Sequence, residues 1–133
     1  MIWIVIGTGT ASAFLTFVMS HNLRLGPIRS SALLSLLVGL CIHFWGMLIA
    51  DELAFAVPLI TIGASFVGMT GKEVIKNPLW IGCAGGIFSG LWLCSNFFLE
   101  NGLGGGLGSA ACLSVLTVVG LRQIGAKLER KKS

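Results

Sequence analysis

The chain has 133 residues, 55% of them hydrophobic and only 11% charged, and its mean hydropathy is +0.93. A soluble domain carries about 25% charged residues, and one this small could not hide so much apolar surface from water, so the composition excludes a water-soluble globule and calls for lipid to cover the surplus. The net charge of +4 comes from nine Lys and Arg against five Asp and Glu; the basic residues sit only in short connections and the tail, which marks them as topology signals rather than a nucleic-acid surface.

Five apolar segments follow one another. Span 1 covers about residues 2–20; nothing basic precedes it, so it reads as a retained span and not as a cleaved signal peptide. Span 2, about 30–50, opens at Gly26-Pro27-Ile28-Arg29-Ser30-Ser31 and ends at Asp51 and Glu52. Span 3, about 53–70, carries Pro58, which should kink it. Span 4 is about 79–99. Span 5, about 103–121, is entered through a glycine run from Gly102 to Gly108; glycine is poor helix material, so part of this entry is expected to be unwound or re-entrant. Each segment is near the ~20 residues a helix needs to cross ~30 Å of hydrocarbon. In lipid the backbone must satisfy its own hydrogen bonds, so helices are expected throughout. The fold class is therefore an all-α polytopic membrane bundle of about five helices. A single transmembrane domain takes residues 1–122, and 123–133 form a basic cytoplasmic tail that could also touch anionic lipid headgroups.

The charges orient the spans. Arg24 and Arg29 lie between spans 1 and 2, Lys72 and Lys76 between spans 3 and 4, and Arg122, Lys127, Arg130, Lys131 and Lys132 after span 5; these are all nine basic residues. With five alternating spans they share one face, while Asp51, Glu52 and Glu100 fall on the other. The positive-inside rule makes the basic face cytoplasmic. The expected arrangement has the N-terminus outside and the C-terminus inside a cell membrane, with the bacterial inner membrane as first choice. Trp3 and Trp45 near outer ends and Trp80 near an inner end read as interfacial anchors, and the deeper Trp92 as packing.

Residues 22–37 and 101–116 resemble each other at an offset of 79, with seven of sixteen positions identical, including Asn22/Asn101, Gly26/Gly105, Ser30/Ser109, Leu34/Leu113 and Ser35/Ser114. The same offset pairs Gly7 with Gly86. Apolar sequences draw on few residue types and match easily, so chance and duplication both stay open. A genuine repeat would make spans 1–2 and 4–5 two units on either side of span 3, with opposite orientations in the membrane, as in many transporters.

Glycine- and serine-rich helix starts can bring backbone N–H groups and a partial positive charge to an anion or polar solute. The same features also serve as an ordinary proline helix start, a topology arginine and a flexible loop. Polar residues inside the spans are the other candidates: Ser35 and His43 in span 2, Thr61 and Ser65 in span 3, Ser95 and Asn96 in span 4, and Ser114 and Thr117 in span 5. His43, the only titratable residue well inside a span, is either a ligand or relay or a structural histidine bonded in the bundle. The candidate substrate or ion pathway is Asn22, Arg29, Ser30, Ser35, His43, Asn96, Asn101, Ser109 and Ser114.

Gly82, Gly86 and Gly90 in span 4, Gly7 and Ala11 in span 1, and Ala64 and Gly68 in span 3 form small-xxx-small faces suited to close helix packing, of span 1 on span 4 or of two copies. Cys41, Cys83, Cys94 and Cys112 show no paired or metal-ligand spacing and read as small apolar packing residues. No hydrolase, zinc, P-loop or dinucleotide motif is present, so neither enzyme activity, a catalytic residue, a cofactor nor a metal is expected. The leading expectation is a channel or transporter for an ion or small polar solute; the alternative is a non-transporting subunit that scaffolds a larger membrane complex. Expected partners are the lipid bilayer, further copies of the chain as a dimer or higher homo-oligomer, and other membrane subunits; nucleic acid is not expected.

Overall fold

A computed structural model describes residues 2–24, 26–45, 51–94 and 103–132. Over these residues the chain is all-α, with five helices: α1 Ile2–Asn22, α2 Pro27–Trp45, α3 Asp51–Gly68, α4 Pro78–Cys94 and α5 Leu103–Lys132. Apolar residues run all round these helices instead of forming one stripe, the pattern of a helix covered on every side. Three of them, over Ile2–Asn22, Pro27–Phe44 and Gly105–Lys131, are long and apolar enough to cross a membrane, which suggests a membrane protein; Ala54–Gly68 and Pro78–Cys94 are apolar but shorter. Large side chains such as Trp3, Phe44 and Ile28 point outward, 84%, 77% and 75% exposed. Water would penalise that surface heavily and hydrocarbon would not.

The links explain the helix limits. Gly26 holds φ at +82°, a left-handed conformation that suits glycine, and its carbonyl accepts both the backbone N–H (3.1 Å) and the hydroxyl (2.8 Å) of Ser30. Pro27 then starts α2, where a missing N–H costs nothing. At α4 the Asn77 side-chain oxygen accepts the N–H of Leu79 at 3.1 Å and Pro78 takes the first helical position. Ile75, fully buried, pins the 69–77 link to the core.

The contacts also fix helix directions. Gly68, at the end of α3, lies against Ala13, Thr16 and Phe17 of α1; Gly63, farther back, lies against Phe88 of α4 and Leu107 of α5. Val74 in the following link lines a crevice with Val119 and Arg122 of α5. Helices α1, α3 and α5 therefore run parallel, with α4 antiparallel to them; α2 starts at the end where α1 and α3 finish, with Ser31 bonded to Ser65, and runs back along both. Helices α1, α3 and α4 pack mutually at the centre, α2 leans on α1 and α3, and α5 leans on α3 and α4. Direction alternates along the chain, so Arg24, Arg29, Lys72, Lys76 and the basic residues of 122–132 gather at one end of the bundle.

Several expectations change. The glycine run is helical from Leu103 onward, neither unwound nor re-entrant, and α5 runs past residue 121 to Lys132, so the basic tail is helix as well. Asp51 and Glu52 belong to the first turn of α3, which starts two residues ahead of the expected third span. All four cysteines are exposed on outer helix faces, because each falls on the side of its helix turned from the core; they do not pack inside. Pro58 sits within α3, which continues through it. Trp92 is half-buried against the core, as packing requires. The outer ends of spans 2 and 4, residues 46–50 and 95–100, lie outside the described residues.

Candidate functional site

The interior of this apolar bundle is polar in one respect. Among the described residues nine Ser and Thr side chains are buried, and seven of them, Ser12, Thr16, Ser20, Ser30, Ser31, Thr61 and Ser65, belong to α1, α2 and α3. On α1 they recur every four residues, which puts Ser12, Thr16 and Ser20 on one face. A hydroxyl in a dry interior needs an acceptor. Most find one in the preceding turn: Thr61 donates to the Val57 carbonyl at 2.8 Å, Ser89 to Gly85 at 3.0 Å and Ser114 to Ala110 at 2.7 Å. Ser31 and Ser65 bond each other across α2 and α3 at 2.7 Å, and Ser65 also donates to the Ile62 carbonyl at 2.6 Å. Thr16 differs. It is fully buried against Gly68, and its Oγ1 is the one buried side-chain polar atom without a partner among the described residues. Such a group costs about 1–3 kcal/mol, so its persistence marks this junction.

The residues expected from sequence scatter around that junction. Ser30 is buried at the start of α2 and donates to the Gly26 carbonyl just ahead of that helix, Ser114 is buried within α5 and donates to its own helix, and Ser35 is half-buried. Asn22, Arg29, His43 and Ser109 are exposed. Arg29 lines a shallow depression with Ala32, Leu33 and Leu36 on the outer face of α2. Asn96 and Asn101 lie outside the described residues. Sequence reasoning passed over Ser12, Thr16 and Ser20; their spacing of four within an otherwise apolar span was the available signal.

The small-residue faces are used two positions away from where they were expected on α1 and one position away on α4. Helices α1 and α4 meet through Gly9 and Ala13 against Gly85 and Ser89: a Cβ on Gly85 would come within 2.6 Å of the Gly9 carbonyl oxygen and 2.7 Å of the Ala13 Cβ, and one on Gly9 would collide with the Ser89 hydroxyl. Gly7 and Ala11 are exposed and, with Thr10, Gly82 and Gly86, border an open apolar groove of about 630 Å3 between the two helices. Gly90 has no neighbour within 4 Å of a Cβ built on it. On α3, Ala64 and Gly68 are buried as expected. Among the described residues no group of three His, Cys, Asp or Glu is placed to hold a metal ion. Compared with protein-family models, curated proteins and solved structures, the chain matches none.

Proposed function

We propose that the chain is a five-span membrane protein that passes an ion or small polar solute, with its substrate-facing groups among the hydroxyls of α1, α2 and α3. The observation that carries this reading is the buried, unpartnered Oγ1 of Thr16, which shares a face of α1 with Ser12 and Ser20 and packs on Gly68 of α3, the helix that also carries the Ser65 partner of Ser31. Polar groups inside a lipid-covered bundle are costly and tend to mark a pathway. The basic end faces the cytoplasm, with the C-terminus there and the N-terminus outside. Five short helices enclose little volume, so a homo-oligomer is part of the proposal.

An inverted repeat belongs to the same reading, though with a different register from the sequence match. At an offset of 79, buried Ser30 would correspond to exposed Ser109, and buried Leu34 to Leu113, which is 54% exposed. An offset of 76 fits better. It equates the first residues of α1 and α4 (Ile2, Pro78) and of α2 and α5 (Pro27, Leu103). It pairs buried Val5, Gly9, Ser12 and Ala13 with buried Ile81, Gly85, Phe88 and Ser89. It also sends the buried residues of α5, Leu107, Ala110, Ala111, Ser114 and Val118, onto Ser31, Leu34, Ser35, Val38 and Ile42, all buried or half-buried. Exchanging α1 with α4 and α2 with α5 leaves the set of packed helix pairs unchanged. These correspondences support two antiparallel units around α3.

The test is flux through proteoliposomes containing the purified chain, assayed over a panel of monovalent ions and small neutral solutes, with Thr16→Val as comparison. Failure to move any of them above empty vesicles would sink the transport reading. One observation favours the alternative of a non-transporting subunit: the open α1–α4 groove bordered by Gly7, Gly82 and Gly86 is shaped to seat another helix. A stoichiometric unlike partner retained in gentle detergent, with no flux, would select it.

A further inference from the structure

At 1.5 Å per residue, the 30 residues of α5 make a rod of about 45 Å, roughly half as long again as the hydrocarbon of a bilayer is thick. Its last buried residue is Val118, and every residue from Leu121 to Lys131 is exposed. Where the helix leaves the bundle, Arg122, Gln123, Val119 and Ala126 enclose a crevice of about 290 Å3 with Val74 of the 69–77 link, near the lower limit for small-ligand sites. The link also carries exposed Lys72 and Lys76, with Glu73 between them. Beyond the crevice, residues 122–132 hold five basic residues against the single acid Glu129, while Leu121, Ile124 and Leu128, 56–60% exposed, recur on one side of the helix.

We propose that this crevice binds the phosphate of an anionic phospholipid headgroup, with its acyl chains running back into the hydrocarbon past exposed Leu121 and the outer side of α5 before it. The inference rests on the membrane reading of α5. Arg122 stands one turn beyond the last buried residue, at the depth where hydrocarbon gives way to headgroups. A guanidinium offers a planar fork of donors that matches phosphate oxygens, and the Gln123 carboxamide supplies a further N–H. Charge complementarity selects the occupant. A second copy of the chain would bring an equally positive helix against this one and be repelled, whereas the anionic inner leaflet attracts each basic residue near its surface.

The full chain, purified in mild detergent, is tested for retained lipid by native mass spectrometry and for thermal protection by phosphatidylglycerol, phosphatidylcholine and inorganic phosphate. Phosphatidylglycerol should be retained and protect, and phosphatidylcholine should do neither. R122Q should reduce retention at least fivefold. V74W, which fills the crevice and keeps every charge, should do the same and decides the matter if R122Q fails to fold. R24N, a charge lost at the same end but outside the crevice, should behave as the parent. Equal retention of the two lipids, equal loss in R24N and R122Q, full retention in V74W, or protection by phosphate alone overturns the assignment. Alkaline carbonate washing separates this failure from that of the membrane reading: a chain that stays with the membrane while R122Q changes nothing refutes only the headgroup site.

Discussion

Gly85→Ala probes the tightest contact in the bundle. The added methyl would stand 2.6 Å from the Gly9 carbonyl oxygen, 2.7 Å from the Ala13 Cβ and 3.2 Å from the Gly9 carbonyl carbon, where ordinary contact begins at 3.4 Å. The obstructing atoms are backbone and a β-carbon, so no rotamer change relieves them, and α1 and α4 must separate by the shortfall of roughly 1 Å. Overpacking of this kind costs about 1–3 kcal/mol. Alanine also gains about 1 kcal/mol of helix propensity over glycine, which would mask part of the loss, so the comparison is with Gly7→Ala on the same pair of helices. A Cβ at Gly7 meets nothing within 4 Å, and that variant carries the propensity gain alone. The expected difference between the two variants is the steric cost itself, about 1–3 kcal/mol. Reversible unfolding in mixed micelles, titrated with sodium dodecyl sulfate and followed by tryptophan fluorescence, measures it. Gly68→Ala, whose methyl would lie 2.6 Å from both the Ala13 carbonyl oxygen and the Thr16 Cβ, should group with Gly85→Ala. Equal stability of Gly85→Ala and Gly7→Ala would refute the Gly9–Gly85 crossing.

Thr16→Val keeps the shape and removes the orphan hydroxyl, so it should stabilise the chain by about 1–3 kcal/mol in the same assay; a loss of stability would mean that Oγ1 has a partner after all. Ser31→Ala should cost only about 0.6 kcal/mol, the usual worth of a hydrogen bond between membrane helices, since Ser65 keeps its bond to the Ile62 carbonyl. A double-mutant cycle with Ser65→Ala measures the coupling, and zero coupling would contradict the pairing. A membrane-impermeant maleimide cannot reach a thiol that faces hydrocarbon, so it should leave Cys41, Cys83 and Cys112 unlabelled in intact membranes and modify them after denaturation. Rapid labelling of Cys83 would show that the α1–α4 groove holds water.

The number and order of the helices were legible in the sequence, because hydrophobic segments cut by charge, proline and glycine report a property that acts residue by residue: the cost of taking backbone and side chains out of water. The gathering of the basic residues at one end followed from the same segments, once they alternate in direction. Gly26-Pro27 gave away the start of α2, since a proline acts within one turn. The glycines at 104, 105, 106 and 108 misled because propensity is a weak local preference. Leu107, Ala110 and Ala111 pack into the core and hold that stretch helical.

What stayed out of reach concerns facing. A helix with apolar residues all round carries no stripe to say which side meets its neighbour, so the sequence could not choose between Gly7-xxx-Ala11 and Gly9-xxx-Ala13, nor tell that the cysteines would face outward. The same ambiguity let identical letters at an offset of 79 suggest a register in which Ser30 and Ser109 have unlike surroundings. By itself the sequence determined where the chain leaves water, since that is a sum over single residues. Tertiary structure alone decided which hydroxyls are enclosed together and which one, Thr16, goes without a partner, because that depends on how far each helix turns about its own axis when Gly9 and Gly85 let two backbones touch.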